Sequence, residues 1–401
     1  MAITIVQEPV DYSSVHDEAW YDVSSTNSSN IGFKYVCDIY IGATIVARIK
    51  SFPQPSTLRG LFNVSNVLRN YINNPFTPAS SHFAWSNMGL FVNYSVQFGE
   101  EYGGTLYTNL ENRTDVRLYD YAVDYLPTLD RIWTGDGLSY QADYEGQVLS
   151  RRQYNAIQIP NAQLPSSFFI SAMGLSDVND FQTTIRHYTN GVWSPYISLG
   201  WSYGNDKLMV FNISPYAINQ TYGSQLITSN TTKYEIELGD DPQGTFATLL
   251  VTTTCIDKYT PAILHFQNSL GGWDSFSFSL VNRQTRNNES KSFEQAEWQL
   301  NPSNLIGRYD SQGVFYGGSK TFSTLQTITY KLISDYVVLP DYYWLNDLIR
   351  STSVYLSVGV DYYMPVTIKT NNWVEKKRYT DKVYNLELDI EISAKTNSQY
   401  K

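Results

Sequence analysis

The sequence predicts a mainly β, multi-domain protein with β-sandwich-like domains and a few short helices. Three observations support this. Apolar and polar residues alternate with a period of two in many segments, which is typical of strands with one buried face. Gly, Pro and Asn separate these segments, as expected for turns. A length of 401 residues is too great for one ordinary core, and 42% hydrophobic residues suffice to fill several.

The first predicted domain spans residues 1–125. Its strands are predicted by alternation at residues 33–41, 45–49 and 90–98. One short helix is predicted at residues 64–71, where apolar residues recur at helical spacing. Asn63 is expected to cap this helix, and Pro75 follows its end. A small β-sandwich crossed by one helix is the simplest account of this segment.

The second predicted domain spans residues 126–258 and is expected to be a further β-sandwich without a helix. Its candidate strands are residues 154–159, 167–171, 207–213, 234–238 and 245–254. The third spans residues 259–401 and is expected to contain one helix.

Three features are predicted within this third domain. Gly271-Gly272 indicates a hairpin turn. Residues 341–350 indicate a helix preceded by Pro340 and capped by Asp341. The closing strand, residues 384–392, alternates apolar side chains with an acidic face.

Charge and composition favour a protein that binds other molecules over an extended surface. Only 16% of residues are charged, against about 25% in average domains, and tyrosine alone accounts for 33 residues. The net charge of −10 argues against nucleic acid as a partner. The main concentration of positive charge, residues 375–378, is interpreted as a solvated loop or hairpin.

No catalytic residue, metal or cofactor is predicted. Cys37 and Cys255 are far apart, and Cys37 is expected to be a small buried hydrophobe. The histidines share no ligand spacing, so each is interpreted as a surface or capping residue. They are His16, His82, His187 and His265.

Adjacent carboxylates are the sequence feature that most favours a hydrolase. They occur at Asp17-Glu18, Glu100-Glu101 and Asp240-Asp241. Neighbours in a strand point to opposite faces, so adjacency does not create a catalytic pair. A glycan hydrolase is therefore the last of the alternatives.

Four aromatic residues form a candidate binding surface in the middle of the chain: Trp193, Tyr196, Trp201 and Tyr203. Their Gly-rich surroundings are typical of loops, and aromatic loops bind sugars in many receptor-binding modules. The alternative is that these rings fill a sandwich core or a subunit interface.

The N-terminal residues contain neither a positively charged leader nor an apolar run, so no signal peptide is predicted. No stretch reaches the roughly 18 apolar residues of a membrane-spanning helix. The chain is therefore expected to be synthesised in a cytoplasm.

Three stretches of this sequence are distinctive: residues 32–72, which include Phe33-Lys34-Tyr35 and Pro53-Gln54-Pro55, residues 265–274, and residues 344–368 with the final strand. In these stretches the chain resembles structural virion proteins of tailed bacteriophages, particularly crAss-like and related phages of Bacteroidetes. These are packing and turn patterns, and no functional residue carries over. The resemblance implies a virion component that contacts other virion proteins and copies of itself.

Three functions remain open at this point. The first is an assembly subunit of a tail, collar or baseplate that acts through large protein–protein interfaces. The second is a head fibre or a receptor-binding protein that contacts a host-surface glycan. The third is a particle-borne glycan hydrolase. Formation of multimers would favour the first, glycan binding the second, and hydrolysis abolished by one carboxylate change the third.

Overall fold

The computed structural model describes residues 3–9, 13–16, 18–78, 83–86, 89, 91–120, 147–153, 157–160, 167–173, 181–199, 208–240, 244–254, 260–300, 305–310, 312–359, 362–370, 384–393 and 396–398. The chain forms two compact units. The first is Met1–Ile256 with Phe266–Ser275, and the second is Asp257–His265 with Phe276–Lys401. Strands predominate and helices are short, so the mainly β, multi-domain prediction is confirmed. The proposed boundaries at residues 125 and 258 stay predictions.

Two sheets begin the first unit, and the predicted hairpin and return strand are present. The strands are β1 Ile3–Gln7, β2 Ser13–Ser14, β3 Trp20–Ser25, β4 Lys34–Ile41, β5 Thr44–Ser51, β6 Gly60–Asn63, β7 Ala84–Ser86, β8 Phe91–Tyr102 and β9 Thr105–Tyr119. One sheet has the order β1-β3-β6 and the other the order β2-β9-β8-β4-β5. The inward positions of both sheets contribute to one hydrophobic core.

Aromatic rings fill much of this core. Phe98 lies with its ring centroid 5.4 Å from that of Tyr21 and 5.9 Å from that of Phe62. Cys37 is fully buried beside them, as predicted, and burial raises the pKa of its thiol.

The predicted helix is present as α1, Ser65–Leu68, followed by a 3-10 turn. The expected role of Asn63 as the cap is wrong, because Val64 occupies the cap position, although Asn63 Oδ1 accepts hydrogen bonds from the backbone and hydroxyl of Ser65, the first helical residue.

A second pair of sheets completes the first unit. Its strands are β10 Gln147–Val148, β11 Ile157–Pro160, β12 Phe169–Met173, β13 Phe181–Thr189, β14 Val192–Trp193, β15 Ile197–Ser198, β16 Leu208–Asn212, β17 Thr231–Asp240 and β18 Gly244–Thr254. The sheet orders are β10-β12-β16-β7 and β11-β18-β17-β13-β14, with β15 also paired to β13. On β17, Tyr234, Ile236 and Leu238 are buried while the intervening residues are not. This alternation leaves the other face of the sheet available for a surface site.

The prediction that the middle segment lacks a helix is wrong. Helix α2 spans Pro215–Tyr222, between β16 and β17. Ser214 caps it by accepting a hydrogen bond from the backbone of Ala217, and Gly223 ends it in a left-handed conformation at φ 74°. A Ser-Pro start and a Gly end are the usual signals for a helix.

A polar network holds the hairpin tip, residues 266–275, within the first unit. The Asn268 Nδ2 atom donates to the Leu149 carbonyl at 2.7 Å and to Asp274 Oδ2 at 2.9 Å. Its Oδ1 atom accepts from the backbone of Gly272 at 3.1 Å. Ser150 donates its hydroxyl to the same Asp274 oxygen at 2.8 Å. All of these side chains are buried, so each bond satisfies a group that cannot reach water.

One large sheet organises the second unit. The strands are β19 Ala262–Gln267, β20 Trp273–Phe278, β21 Arg283–Gln295, β22 Gln299–Leu300, β23 Ile306–Gly307, β24 Gly318–Ile333, β25 Val354–Gly359, β26 Tyr362–Ile368, β27 Glu387–Ile392 and β28 Thr396–Ser398. The order is β20-β19-β25-β26-β27-β24-β21, and β28 also pairs with β24. β22 and β23 pair only with each other within the described strands. The sheet therefore ends on β21.

The closing strand confirms its predicted alternation. Leu388 and Ile390 are completely buried, and Tyr384, Leu386 and Ile392 are buried beside them. On the opposite face, Glu387 and Asp389 are exposed and Glu391 is partly exposed. Glu387 pairs with Lys331 of β24 at 2.7 Å, and Glu391 pairs with Lys369 at 2.9 Å. The acidic face is thus partly neutralised by the unit itself.

The predicted helix at residues 341–350 is two shorter helices, α3 Leu339–Trp344 and α4 Asn346–Arg350. The expected role of Asp341 as the cap is wrong, because the helix begins two residues earlier and Val338 occupies the cap position. Pro340 lies inside the first turn, where its missing N–H costs no hydrogen bond.

The prediction that His265 is a surface or capping residue is wrong, because its side chain is completely buried. Its ring lies 5.3 Å from that of Tyr363. Burial lowers the pKa of His265 to about 3. His16 is exposed and contacts Asp120 Oδ1 at 2.8 Å, whereas His82 and Cys255 lie outside the described residues.

We expect His265→Phe to reduce the acid sensitivity of the protein. The buried ring stays neutral in the folded state, whereas the unfolded ring takes up a proton near its ordinary pKa of 6.5. Stability from this group is therefore present above pH 6.5 and is lost as the pH falls. Because only the unfolded ring binds this proton, His265 lowers the free energy of unfolding of the unsubstituted protein by about 2 kcal/mol between pH 7.5 and 5. Urea unfolding of both proteins at these two pH values measures it, and equal pH dependence would contradict the assignment.

Candidate functional site

Two of the four predicted aromatic residues lie together on the surface of the first unit. Trp193 ends β14, and Tyr196 follows it just before β15. Trp201 and Tyr203 lie outside the described residues. Both described rings pack against Arg186 of β13, which pairs with Glu235 of β17 across the sheet. We call Arg186, Trp193, Tyr196 and Glu235 the arginine–aromatic cluster.

The guanidinium group of Arg186 is the centre of this cluster. Its central carbon lies 4.7 Å from the ring centroid of Trp193 and 4.6 Å from that of Tyr196, within the range of cation–π contacts. Its Nε and Nη2 atoms both contact Glu235 Oε2 at 2.5 Å. The Tyr196 hydroxyl donates to the same oxygen at 3.2 Å. These contacts fix the positions of both rings.

Electrostatics keep the cluster in one charge state near neutral pH. The Glu235 carboxylate raises the pKa of Arg186 above its already high value. Burial, with smaller contributions from nearby carboxylates, raises the pKa of Tyr196 to about 12. Arg186 therefore remains a cation and Tyr196 remains a neutral donor under physiological conditions.

The cluster has the composition of a binding surface but not of a reaction centre. Trp, Tyr and Arg are the residues that contribute most to protein–protein binding energy. Val192, beside Trp193, is 69% exposed, and Tyr196 is exposed as well. One face of each aromatic ring is turned to the arginine, which limits the ring area left for a stacked sugar. The arrangement fits a protein contact at least as well as a glycan contact.

A larger exposed feature lies in the second unit, and the sequence analysis did not predict it. β21 and β24 form a long antiparallel hairpin whose pairing runs from Arg283 with Lys331 to Gln295 with Gly318. The exposed residues of β21 point to both faces, so this strand has no buried face. β27 and β28 cover the second edge of β24 only from residue 324 onward. We call residues 283–333 the arm.

The end of the arm carries a concentration of exposed apolar side chains. Large apolar residues that are at least 39% exposed there are Phe293, Trp298, Leu300, Leu305, Ile306, Tyr309, Val314, Phe315 and Phe322. We call residues 293–322 the arm tip. Isolated exposed hydrophobic residues are normal on protein surfaces, whereas a contiguous group indicates an interaction site.

Local contacts hold several of these side chains in place. The Arg308 guanidinium carbon lies 4.6 Å from the centroid of the Trp298 ring. Tyr309 and Phe315 form a β-bridge, and their ring centroids are 5.6 Å apart. The ring centroids of Phe293 and Phe322 are 6.3 Å apart. The arm tip thus presents positioned aromatic groups to solvent, which lowers the entropy cost of binding.

The sequence analysis missed the arm because a strand without a buried face shows no apolar alternation. Residues 283–292 contain no apolar residue at all. The available signal was the contrast between this polar run and the apolar residues that follow it, from Phe293 to Ile306. Such a change within a β-rich segment indicates an exposed apolar tip.

Glu100 and Glu101 do not face each other as a carboxylate pair. Glu100 is buried and accepts hydrogen bonds from Ser25 and Asn27, whereas Glu101 contacts Lys34 and Lys50 on the other face of β8. This is the opposite-face arrangement expected for neighbours in a strand. Within the described part of the chain, no group of three or more His, Cys, Asp or Glu is placed to hold a metal ion. No helix among these residues has the length and hydropathy to cross a bilayer.

Comparisons with known proteins leave the function open. No protein-family model and no curated protein match the chain. A Ca²⁺-stabilized adhesin that helps an Antarctic bacterium bind ice is similar over 98% of this chain and 91% of its own, at 9% identity and a TM-score of 0.20. The FN1–FN3 domains of chicken CNTN1 match over 82% of this chain and 91% of theirs, at 5% identity and a TM-score of 0.19. Cadherin-like domains 1 to 4 of zebrafish RET match over 76% and 63%, at 8% identity and a TM-score of 0.15.

Proposed function

We propose that this chain is a structural subunit of a tailed-phage virion, in the tail, collar or baseplate, and that it assembles through its arm. The observation that carries the proposal is the arm tip with its exposed apolar side chains. The virion assignment is supported by the resemblance of three stretches to phage structural proteins. The proposal includes no chemical reaction, no cofactor and no nucleic-acid partner.

The arm gains stability if a partner covers its tip. A two-stranded hairpin alone is at best marginally stable in water. At residues 318–323 of β24, the described strands give the arm no third strand, and residues 318–322 are exposed. A partner that covers the tip would bury its apolar side chains and order the strands behind them. Burying one large apolar side chain fully stabilises by about 1.5–3 kcal/mol.

We expect the double substitution Trp298→Ser and Ile306→Ser to weaken assembly without unfolding the protein. Both side chains are more than half exposed, so their removal costs little folding stability. If they are anchors of an interface, their loss weakens association about thirtyfold, which corresponds to 2 kcal/mol. Sedimentation velocity of the full chain over a concentration series measures this.

Ile31→Ser is the matched control, because Ile31 is 97% exposed and lies in the first unit. It should leave the sedimentation profile unchanged. The proposal fails if the tip variant and the control sediment alike, or if the unsubstituted chain remains a monomer at every concentration and binds no virion protein.

A receptor- or glycan-binding protein is the second candidate, and the arginine–aromatic cluster supports it. Its discriminating experiment is a glycan array with the full chain and the variant Tyr196→Ala. Glycan binding that this variant loses would favour the second candidate. Binding that persists in the variant would place any sugar site elsewhere.

A further inference from the structure

Among the described strands, β21 lies at the edge of the large sheet. The sheet order ends on this strand, and its first twelve residues are exposed. The strand contains neither Pro nor Gly, and the one irregularity in its pairing with β24 places the extra residue, Phe322, on β24. Its backbone therefore stays regularly extended. Such an edge presents a row of backbone donors and acceptors that another strand can pair with.

The charges of this edge are arranged antisymmetrically about Ser290. Six charged residues occur between positions 283 and 297. Each has a residue of opposite charge at the same distance on the other side of Ser290. The three mirror pairs are Arg283 with Glu297, Arg286 with Glu294, and Glu289 with Lys291.

This arrangement matches one register of antiparallel self-pairing. If two β21 strands pair about a two-fold axis at Ser290, Arg286 of each copy lies directly opposite Glu294 of the other. Glu289 of each copy likewise lies opposite Lys291. Directly opposed residues point to the same face, so their side chains meet. The third mirror pair falls at the strand end, since Glu297 follows the last residue of β21.

Neighbouring registers lack this complementarity. A shift of the symmetry axis by half a residue in either direction opposes no charged residue to another. A shift by one full residue places Glu289 or Lys291 opposite its own copy, which is repulsive. Among the six residues, the described ion pairs include only Glu297, with Arg308 at 3.7 Å, and both of these side chains are exposed.

We propose that two copies of this chain associate by antiparallel pairing of their β21 strands, centred on Ser290. The inference rests on the proposed function and deepens it by naming a second copy as the partner of the arm edge. Backbone hydrogen bonds join the two sheets into one, and the cross-strand charge pairs select the register. A two-fold axis makes the contact self-limiting, so the pair can serve as a building block of a larger assembly.

Charge reversal tests the register. Arg286→Glu places two carboxylates opposite each other at two symmetry-related positions and should weaken the dimer at least about tenfold in sedimentation equilibrium. Arg286→Glu combined with Glu294→Arg restores opposite charges and should return the dimer to its original strength. Failure of the double variant to recover would overturn the proposed register.

Cysteine cross-linking provides an independent test of the same contact. The two copies of residue 290 would have Cα atoms about 4.5–5.5 Å apart, which a disulfide can bridge. Ser290→Cys should therefore form a covalent dimer under mild oxidation. Thr285→Cys is the control, because its two copies lie ten residues apart along the paired strands and should not cross-link.

The outcomes separate this inference from the proposed function. Multimers that depend on the arm tip but show no Ser290→Cys cross-link would overturn β21 pairing and leave the assembly role standing. An unsubstituted chain that forms no multimer and no cross-link would overturn both. Preserved far-ultraviolet circular dichroism in each variant ensures that lost association is not lost folding.

Discussion

Asn268→Asp is expected to destabilise the first unit by at least about 3 kcal/mol. The side chain donates two buried hydrogen bonds, to the Leu149 carbonyl at 2.7 Å and to Asp274 Oδ2 at 2.9 Å. A carboxylate has no donor, so the Leu149 carbonyl would lose this hydrogen bond, Asp274 Oδ2 would lose one of its donors while keeping the Ser150 hydroxyl, and two carboxylates would face each other. Each buried polar group left unsatisfied costs about 1–3 kcal/mol, and a buried like charge adds to this. Urea unfolding measures the change.

Asn93→Asp is the control for this prediction. Asn93 is exposed on β8 and lies opposite Arg117, so an added negative charge should change stability by less than about 0.5 kcal/mol. A proton on the carboxyl introduced at position 268 supplies one donor, and the destabilisation should therefore shrink at acidic pH. Equal effects of the two substitutions would contradict the role of the network in holding residues 266–275.

Leu388→Ala is expected to destabilise the second unit by about 2–5 kcal/mol. Leu388 is completely buried on β27 and pairs with Leu332 of β24, which is also completely buried. Truncation removes apolar contacts and leaves a cavity between strands that cannot close fully. Chemical denaturation of the full chain, with a probe in the second unit, measures the loss.

The neighbouring substitution Asp389→Asn provides a matched surface control. Asp389 is exposed on the opposite face, so a shift below about 0.5 kcal/mol is expected. If both substitutions proved equally harmless, the assignment of the buried face would be wrong. If Asp389→Asn left folding intact but prevented assembly, the acidic face would itself be a docking surface.

The closing strand is predictable from the sequence because it has one buried face. The alternation around Leu388 is strong because water lies on one side of the strand and a core on the other. The same rule explains the failure at β21, which is exposed on both faces. β21 is held by its pairing with β24 and not by burial of its side chains. Around Cys37 the expected solvent face is wrong, because Val36 and Asp38 are buried as well as Cys37.

Local chemistry explains the remaining differences. Ser214, Pro215 and Gly223 carry the signals of a helix, but no helix was predicted in this segment. Pro340 was interpreted as preceding a helix, although proline is also favoured within the first turn. The predicted cap at Asp341 therefore fell two residues inside the actual helix start.

The sequence predicted only two of the four residues of the arginine–aromatic cluster, because the cluster combines residues from separate strands. Trp193 and Tyr196 are close in sequence and were predicted together. Arg186 precedes them and Glu235 follows about 40 positions later. Strand register, set by the pairing of β13 with β17, brings this cation and carboxylate together. A single-sequence pattern does not reveal that register.

Hydrogen–deuterium exchange tests the central claim most directly, because it reports whether the arm is covered in the assembled protein. Full chain separated into monomeric and multimeric fractions would be labelled, and peptides from residues 283–322 compared. The account predicts slower exchange of these amides in the multimer, and unchanged exchange of peptides from residues 186–199. Equal exchange of the arm in both fractions, with protection confined to other segments, would contradict assembly through the arm.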